Sequence, residues 1–195
     1  SYDHVGLWLR RSVEKALREL GTEYADVLLL GWFNRKPGRR LLDMAQALVA
    51  EGKVHHLGVT GHNRPFHREM ATAPDCPFDV LQVRYSAAHR GAETEVFPDL
   101  PSASPTEPPG RPGMTIYTAT RWGRLLNPKK MPPGEKPLTA AECYRFVLSH
   151  PVVDLCIAGP RTEEEMDQGL EALAAGALTS EETERVRRIG DHVHG

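Results

Sequence analysis

Residues Tyr24 to Asn34 read Tyr-Ala-Asp-Val-Leu-Leu-Leu-Gly-Trp-Phe-Asn, and the middle of this stretch decides the fold. An apolar run opened by Asp26 and closed by Gly31 is too short for a helix. It also lacks the apolar–polar alternation of a strand with one wet face, so it predicts a buried parallel strand over Asp26 to Leu30. In parallel α/β proteins, chemistry gathers at the outgoing ends of such strands. Gly31 stands at that end and has no side chain with which to do chemistry.

The segments on either side fit the same architecture. Leu9, Val13, Ala16, Leu17 and Leu20 lie on one helical face that Gly21 ends, and Leu41, Leu42, Ala45, Leu48 and Val49 repeat the spacing up to Gly52. Val54 to Thr60 reads as a second strand, ending at Gly61. A short helix around Pro65 to Ala73 leads to a third strand, Phe78 to Tyr85. Met114 to Ala119 and Val152 to Ala158 read as strands four and five. Thr139 with Glu142, Thr162 with Glu165 and Thr179 with Glu182 match the S/T-x-x-E capping box, in which each side chain satisfies an orphan backbone N–H of the other. A helix followed by strand–helix steps implies a parallel sheet with helices outside it. Pro98 to Gly113 is too rich in Pro and Ser to pack and reads as a mobile insertion. Asn127 to Pro137 is a second long loop, on the outgoing side of strand four.

With 195 residues, 40% hydrophobic and 26% charged, the chain suits one domain spanning residues 1–195. A net charge of −2 argues against nucleic-acid or membrane-surface partners, since the surface as a whole would not be drawn to either. No apolar run is long enough to span a bilayer and no signal-peptide pattern is present, so the expected location is the cytoplasm. Cys76, Cys143 and Cys156 show no C-x-x-C spacing and read as reduced thiols, with no metal site expected. The chain opens with Ser1 rather than Met, so a natural N-terminus upstream is expected.

Several stretches together resemble the aldo-keto reductase family: LRELGTEYADVLLLGW, EGKVHHLGVTGHN, LQVRYS, IYTATRWGRLL and FVLSHPVVDLCIAGPRTEEEMDQGLEAL. They occur in the family's order and cover nearly the whole chain apart from the Pro-rich insertion. The resemblance implies a (β/α)8 barrel of TIM type, which ordinarily takes about 250 residues. The five strands would then be the family's fourth to eighth, and the barrel would be incomplete in this chain. Either a piece of a longer protein or a partial gene product would read this way, the former preferred. Open parallel edges would invite self-association.

The resemblance further implies an NADP(H)-dependent oxidoreductase that reduces a small-molecule carbonyl substrate by hydride transfer. The family's tyrosine acid, lysine and aspartate would fall upstream of Ser1. Its histidine position is Gly31, so no catalytic residue is assigned here; His62, Trp32 and Asn34 are candidates to rebuild the site, each more readily read as an ordinary loop residue. Thr60 and Gln82 match positions that hold the nicotinamide carboxamide, and Tyr117 matches the aromatic that stacks on the ring. The family asparagine after Thr60 is Gly61. Gln82 and Tyr117 read equally well as interior packing.

Gly159-Pro160-Arg161-Thr162 joins a strand to a capped helix, so its backbone N–H groups and the helix dipole favour an anion. Arg161 could add a bidentate contact to a 2′-phosphate, and Gln168 falls where the family contacts adenine, although the usual Glu-Asn pair reads Gln168-Gly169. A capped helix bearing a surface arginine is the plainer reading. Arg84, His89, Arg90 and Arg121 could gather into a basic mouth suited to an anionic cofactor or substrate. The alternative function is a catalytically inactive nucleotide-binding relative that acts through a partner. A weaker third reading is a pure interaction module.

Overall fold

The structure, a computed structural model, describes residues 4–104, 106 and 110–194. Five parallel strands form one sheet in the order in which they occur along the chain: β1 (Ala25–Leu30), β2 (Val54–Thr60), β3 (Val80–Arg84), β4 (Gly113–Tyr117) and β5 (Leu155–Cys156). Helices α1 (His4–Leu20), α2 (Arg39–Ala50), α3 (Arg64–Thr72), the one-turn α4 (Ala92–Glu95), α5 (Ala140–Leu148), α6 (Glu163–Ala175) and α7 (Ser180–His194) lie before, between and after the strands. Strand neighbours that are also sequence neighbours, each joined through a helix, are the repeating step of a (β/α) barrel wall.

Strand alternation gives the sheet two unlike faces. Leu30, Val59, Leu81, Val83, Met114 and Ile116 point to the helix side and are buried with Leu9, Val13 and Leu17 of α1 and Leu42, Ala45 and Leu48 of α2. Each such side chain contributes about 1.5–3 kcal/mol of transfer free energy. The opposite face carries a row set by register, Thr60↔Gln82↔Thr115↔Leu155, and no helix among the described residues covers it. Val27 and Leu29 at one edge and Leu155 and Ile157 at the other remain exposed.

Two capping boxes form as the sequence predicts. Thr139 and Glu142 exchange bonds of 2.7 and 3.1 Å, and Thr179 and Glu182 bonds of 2.7 and 3.2 Å. Thr162 caps Glu165 at 3.2 Å, but the Glu165 carboxylate accepts from Arg161 N–H instead. The fifth strand is shorter than its apolar run. Val152 and Val153 are buried in the turn before it, because Arg111 donates to the Val152 carbonyl and Asp154 accepts from Met114 N–H at 2.6 Å. The Pro-rich insertion lies partly outside the described residues; its described end is held by Arg111, which also bonds the Pro101 carbonyl and Asp154. The described residues end in the last turn of α7, where Val193 is buried. Among the described residues no helix is long and apolar enough to cross a membrane.

Candidate functional site

At the outgoing ends of β1 to β4 the open face narrows to a cavity of about 230 Å³ lined by Trp32, Thr60, Gly61, His62, Gln82 and Tyr117. Thr60 and Gln82 are register partners, and the Thr60 hydroxyl donates to the Gln82 carbonyl at 3.2 Å. Tyr117 stands one alternation further out on β4, paired with Arg84. Burial pushes its phenol up, partly offset by Arg84 and by the Thr60 hydroxyl. Three of the residues expected to bind cofactor therefore share one cavity.

The β1–α2 loop forms the near wall. Phe33 N–H donates to the Thr60 carbonyl at 3.0 Å, carrying the loop across the end of β2. The Phe33 carbonyl oxygen then lies where a Cβ on Gly61 would stand, so the position excludes the family asparagine on steric grounds. Asn34 Oδ1 accepts from the N–H groups of His62 and Asn63 at 2.8 and 3.0 Å, and Asn63 Oδ1 caps α3 through Phe66 N–H at 2.9 Å. Of the three candidates for rebuilding the site, Asn34 thus fixes the loop, while Trp32 and His62 reach the cavity with their rings edge-on at 5.3 Å. Trp32 holds φ 64° and is 81% exposed. A Cβ added at Gly31 would meet nothing within 4 Å, so the absence of a side chain there is no packing requirement.

Behind this wall, α3 buries His67. Its Nδ1 lies 2.9 Å from the Asn63 carbonyl, which makes Nδ1 the protonated nitrogen and leaves buried Nε2 without a hydrogen-bond partner. The Gln82 carbonyl is near enough to favour the charged ring slightly without closing a bond, and burial still holds its pKa below the usual histidine range. Sequence reading passed over His67, although Met70 and Ala71, at i+3 and i+4, place it on the apolar face.

The basic residues divide into two sets. Arg90 leaves the mouth, donating to Asp191 at 2.6 Å and to the Ala87 and Arg187 carbonyls. Arg84, His89 and Arg121 stay together. Burial first, then Arg121 and Arg84, push the His89 imidazole down to about 4, so it is neutral at neutral pH.

Gly159, Arg161, Thr162 and Gln168 lie on the turn after β5 and on α6, outside the cavity lining, and Gly159, Arg161 and Thr162 are exposed. The α6 N-terminus is already partly satisfied: Glu165 takes Arg161 N–H and Thr162 Oγ1 takes Glu165 N–H. Its first turn carries Glu163, Glu164 and Glu165, which compete with any added anion for the positive end of the helix dipole. Arg161 forms no ion pair among the described residues, so its guanidinium remains available to a phosphate.

Comparison with known proteins agrees with this architecture. The structure resembles an aldo-keto reductase, AKR11C1, from Bacillus halodurans in its holo form, with TM-score 0.73, 18% identity, 96% of this chain covered and 68% of that one. It also resembles an aldo-keto reductase from Klebsiella pneumoniae solved in complex with NADPH, with TM-score 0.71, 25% identity, 94% of this chain covered and 64% of that one. The chain therefore spans about two thirds of the length of these proteins. No curated protein matches it in sequence. Residues 3–100 match the aldo/keto reductase family model. A sheet of five parallel strands in sequential order, an outgoing mouth closed by the β1–α2 loop, and this match over half the sequence place the chain in the aldo/keto reductase family.

Proposed function

We propose that the chain carries the NADP(H)-binding part of an oxidoreductase of aldo-keto reductase type that reduces a carbonyl substrate. The observation behind this reading is the convergence of Thr60, Gln82 and Tyr117 on one cavity at the outgoing end of the sheet. A carboxamide needs a donor and an acceptor held in one plane, and the Gln82 amide and Thr60 hydroxyl supply both from neighbouring strands. The Tyr117 ring offers a flat face beside them. Bound there, the nicotinamide would supply hydride. On this reading the Gln82 and Thr60 side chains orient the ring, Tyr117 shields one of its faces from water, Gly159 and Thr162 shape the turn that meets phosphate, Arg161 takes the 2′-phosphate and Gln168 meets the adenine. The reading assigns none of this chain's residues as proton donor. Support comes from the family match and from the relative solved with NADPH.

Titrating NADPH by fluorescence against wild type and Gln82→Leu tests it. Losing a half-buried amide that orients the ligand weakens binding about tenfold. Failure of the folded wild-type chain to bind either NADPH or NADH would sink the reading.

Gly31 favours a second reading, a nucleotide-binding relative without catalysis that acts through a partner. Nothing in the packing forbids a side chain at this position. NADPH binding with no carbonyl-dependent NADPH oxidation would select it.

A further inference from the structure

His67 stands on α3 at the back of the cavity wall, 1% exposed, on the face that buries Phe66, Met70 and Ala71. A buried imidazole calls for a partner at each nitrogen, and this one is served at one only. Nδ1–H donates to the Asn63 carbonyl at 2.9 Å, within the first turn of its own helix. Nε2 is enclosed and unbonded, and the polar group beside it is the Gln82 carbonyl, a second acceptor. Two acceptors set against each other are unfavourable, and a proton on Nε2 would turn the contact into a hydrogen bond.

The Gln82 carbonyl is shared between two sides of the wall. From the cavity side it accepts the Thr60 hydroxyl at 3.2 Å, and Thr60 lines the cavity with Tyr117. A hydroxyl has a single hydrogen to give. While that hydrogen rests on Gln82, Thr60 offers the cavity lone pairs only. Its other direction is toward Tyr117, whose phenol it already draws toward the ionised form.

The charged groups around His67 are engaged elsewhere. On α3, Arg64 is paired with Glu95 and Arg68 with Asp99, and Glu69 is exposed. Glu93 of α4 is held by Arg187, and His89 of the β3–α4 connection is neutral. Arg84 and Tyr117 belong to the open face of the sheet, opposite the helix layer. His62, in the loop before α3, mildly disfavours a charged ring.

We propose that His67 is a positioning residue that sets the direction of the Thr60 hydroxyl. When Nε2 carries a proton it donates to the Gln82 carbonyl, and the displaced Thr60 hydrogen turns to the carboxamide oxygen of a bound nicotinamide. The inference rests on the oxidoreductase reading and adds a pH linkage to it. Nucleotide affinity rises as pH falls through the folded His67 pKa, which burial holds below the usual histidine range. By reciprocity, bound nucleotide raises that pKa.

The test uses the whole chain with isotope-labelled histidine, whose ring carbons follow each imidazole's titration by NMR; the His67 signal is the one missing from His67→Asn. Affinity for NADP+ is read from tryptophan fluorescence, since Trp32 lines the cavity, across the pH range over which His67 titrates. Circular dichroism confirms at each pH that the proteins are folded. Wild type should bind about threefold to tenfold more tightly on the acid side of the titration than on the alkaline side. His67→Asn keeps an amide for Asn63 and has nothing at the Nε2 position, so it should stay at the weaker level. His67→Gln places a permanent N–H donor there and should stay at the tighter level. Titration of the ligand's own phosphates is common to all three proteins and cancels. Without nucleotide, Thr60→Val should raise the His67 pKa by about half to one pH unit, because the Gln82 carbonyl is no longer shared. An unchanged His67 pKa in folded Thr60→Val would overturn the coupling whether or not nucleotide binds. Equal pH dependence of affinity in wild type and His67→Asn would overturn it as well. A raised pKa in Thr60→Val together with no nucleotide binding by folded wild type at any pH would uphold the coupling and strike the oxidoreductase reading, with the carboxamide role.

Discussion

The Phe33 carbonyl oxygen and Gly61 Cα pack against each other so closely that no side chain fits between them. The contact closes the near wall of the cavity, because the same loop residue donates to Thr60 and the next one holds the His62 and Asn63 amides.

Gly61→Ala should therefore lower stability by about 1–3 kcal/mol, the cost of forcing atoms into a filled site. Gly31→Ala, whose Cβ meets open space, should stay within about 0.5 kcal/mol of wild type. Urea denaturation of the two variants side by side gives the comparison. Equal effects would show that the loop yields to the added methyl.

Arg161→Ala should weaken NADPH binding roughly tenfold to a hundredfold while leaving NADH nearly unchanged, as expected for a charge-assisted contact to the 2′-phosphate. Both nucleotides are titrated against both proteins. Equal losses would make the arginine structural.

Arg111 is almost wholly enclosed, with 1% of its side chain exposed, and it bonds Asp154 at 2.7 Å as well as the Pro101, Pro112 and Val152 carbonyls. Arg111→Ala leaves Asp154 without its ion-pair partner and should cost about 3 kcal/mol. The shift in urea midpoint measures this. A cost under about 1 kcal/mol would mean that the anchoring of the Pro-rich segment is incidental.

Burial lowers the pKa values of His67, His89 and His150, reaching about 4 at His89. Below about 6.5 an unfolded chain takes up protons at these rings and the folded chain does not. Stability should thus fall from pH 7 to pH 5 and, for His89, go on falling until about pH 4. His89→Gln should flatten that slope. A wild type equally stable at pH 7 and pH 5 would contradict the neutral, buried state of these rings.

How much could be read in the sequence depended on the range of the interaction responsible. The Asp26–Leu30 run, the Leu9, Val13, Leu17 stripe and the Thr139–Glu142 cap are local patterns, and each formed where its residues predicted, although the strand expected to be buried leaves Asp26, Val27 and Leu29 exposed at the sheet edge. Thr60, Gln82 and Tyr117 came together because strand register brings them there once the sheet is parallel. Positive φ at Trp32, Thr118, Arg121 and Trp122 gave no signal, since none of these is Gly or Asn. Nor could composition show that Arg90 would turn away to Asp191, a partner 101 positions along the chain.

That distant pairing makes the mouth a late product of folding. Arg90 in the β3–α4 connection and Glu93 of α4 are bound by Asp191 and Arg187 of α7, and Gly190 has no side chain because the Ala87 carbonyl fills its place. Loops of about 100 residues must close before these contacts give any return, so the sheet can order well before the rim does. A chain stalled at that stage would hold the Thr60–Gln82 pair in register while Arg84 and His89 lacked their final setting. The amides around Ala87 to Glu93 would then exchange with solvent sooner than those of β2 and β3, and a ligand that bridges the rim would slow them most.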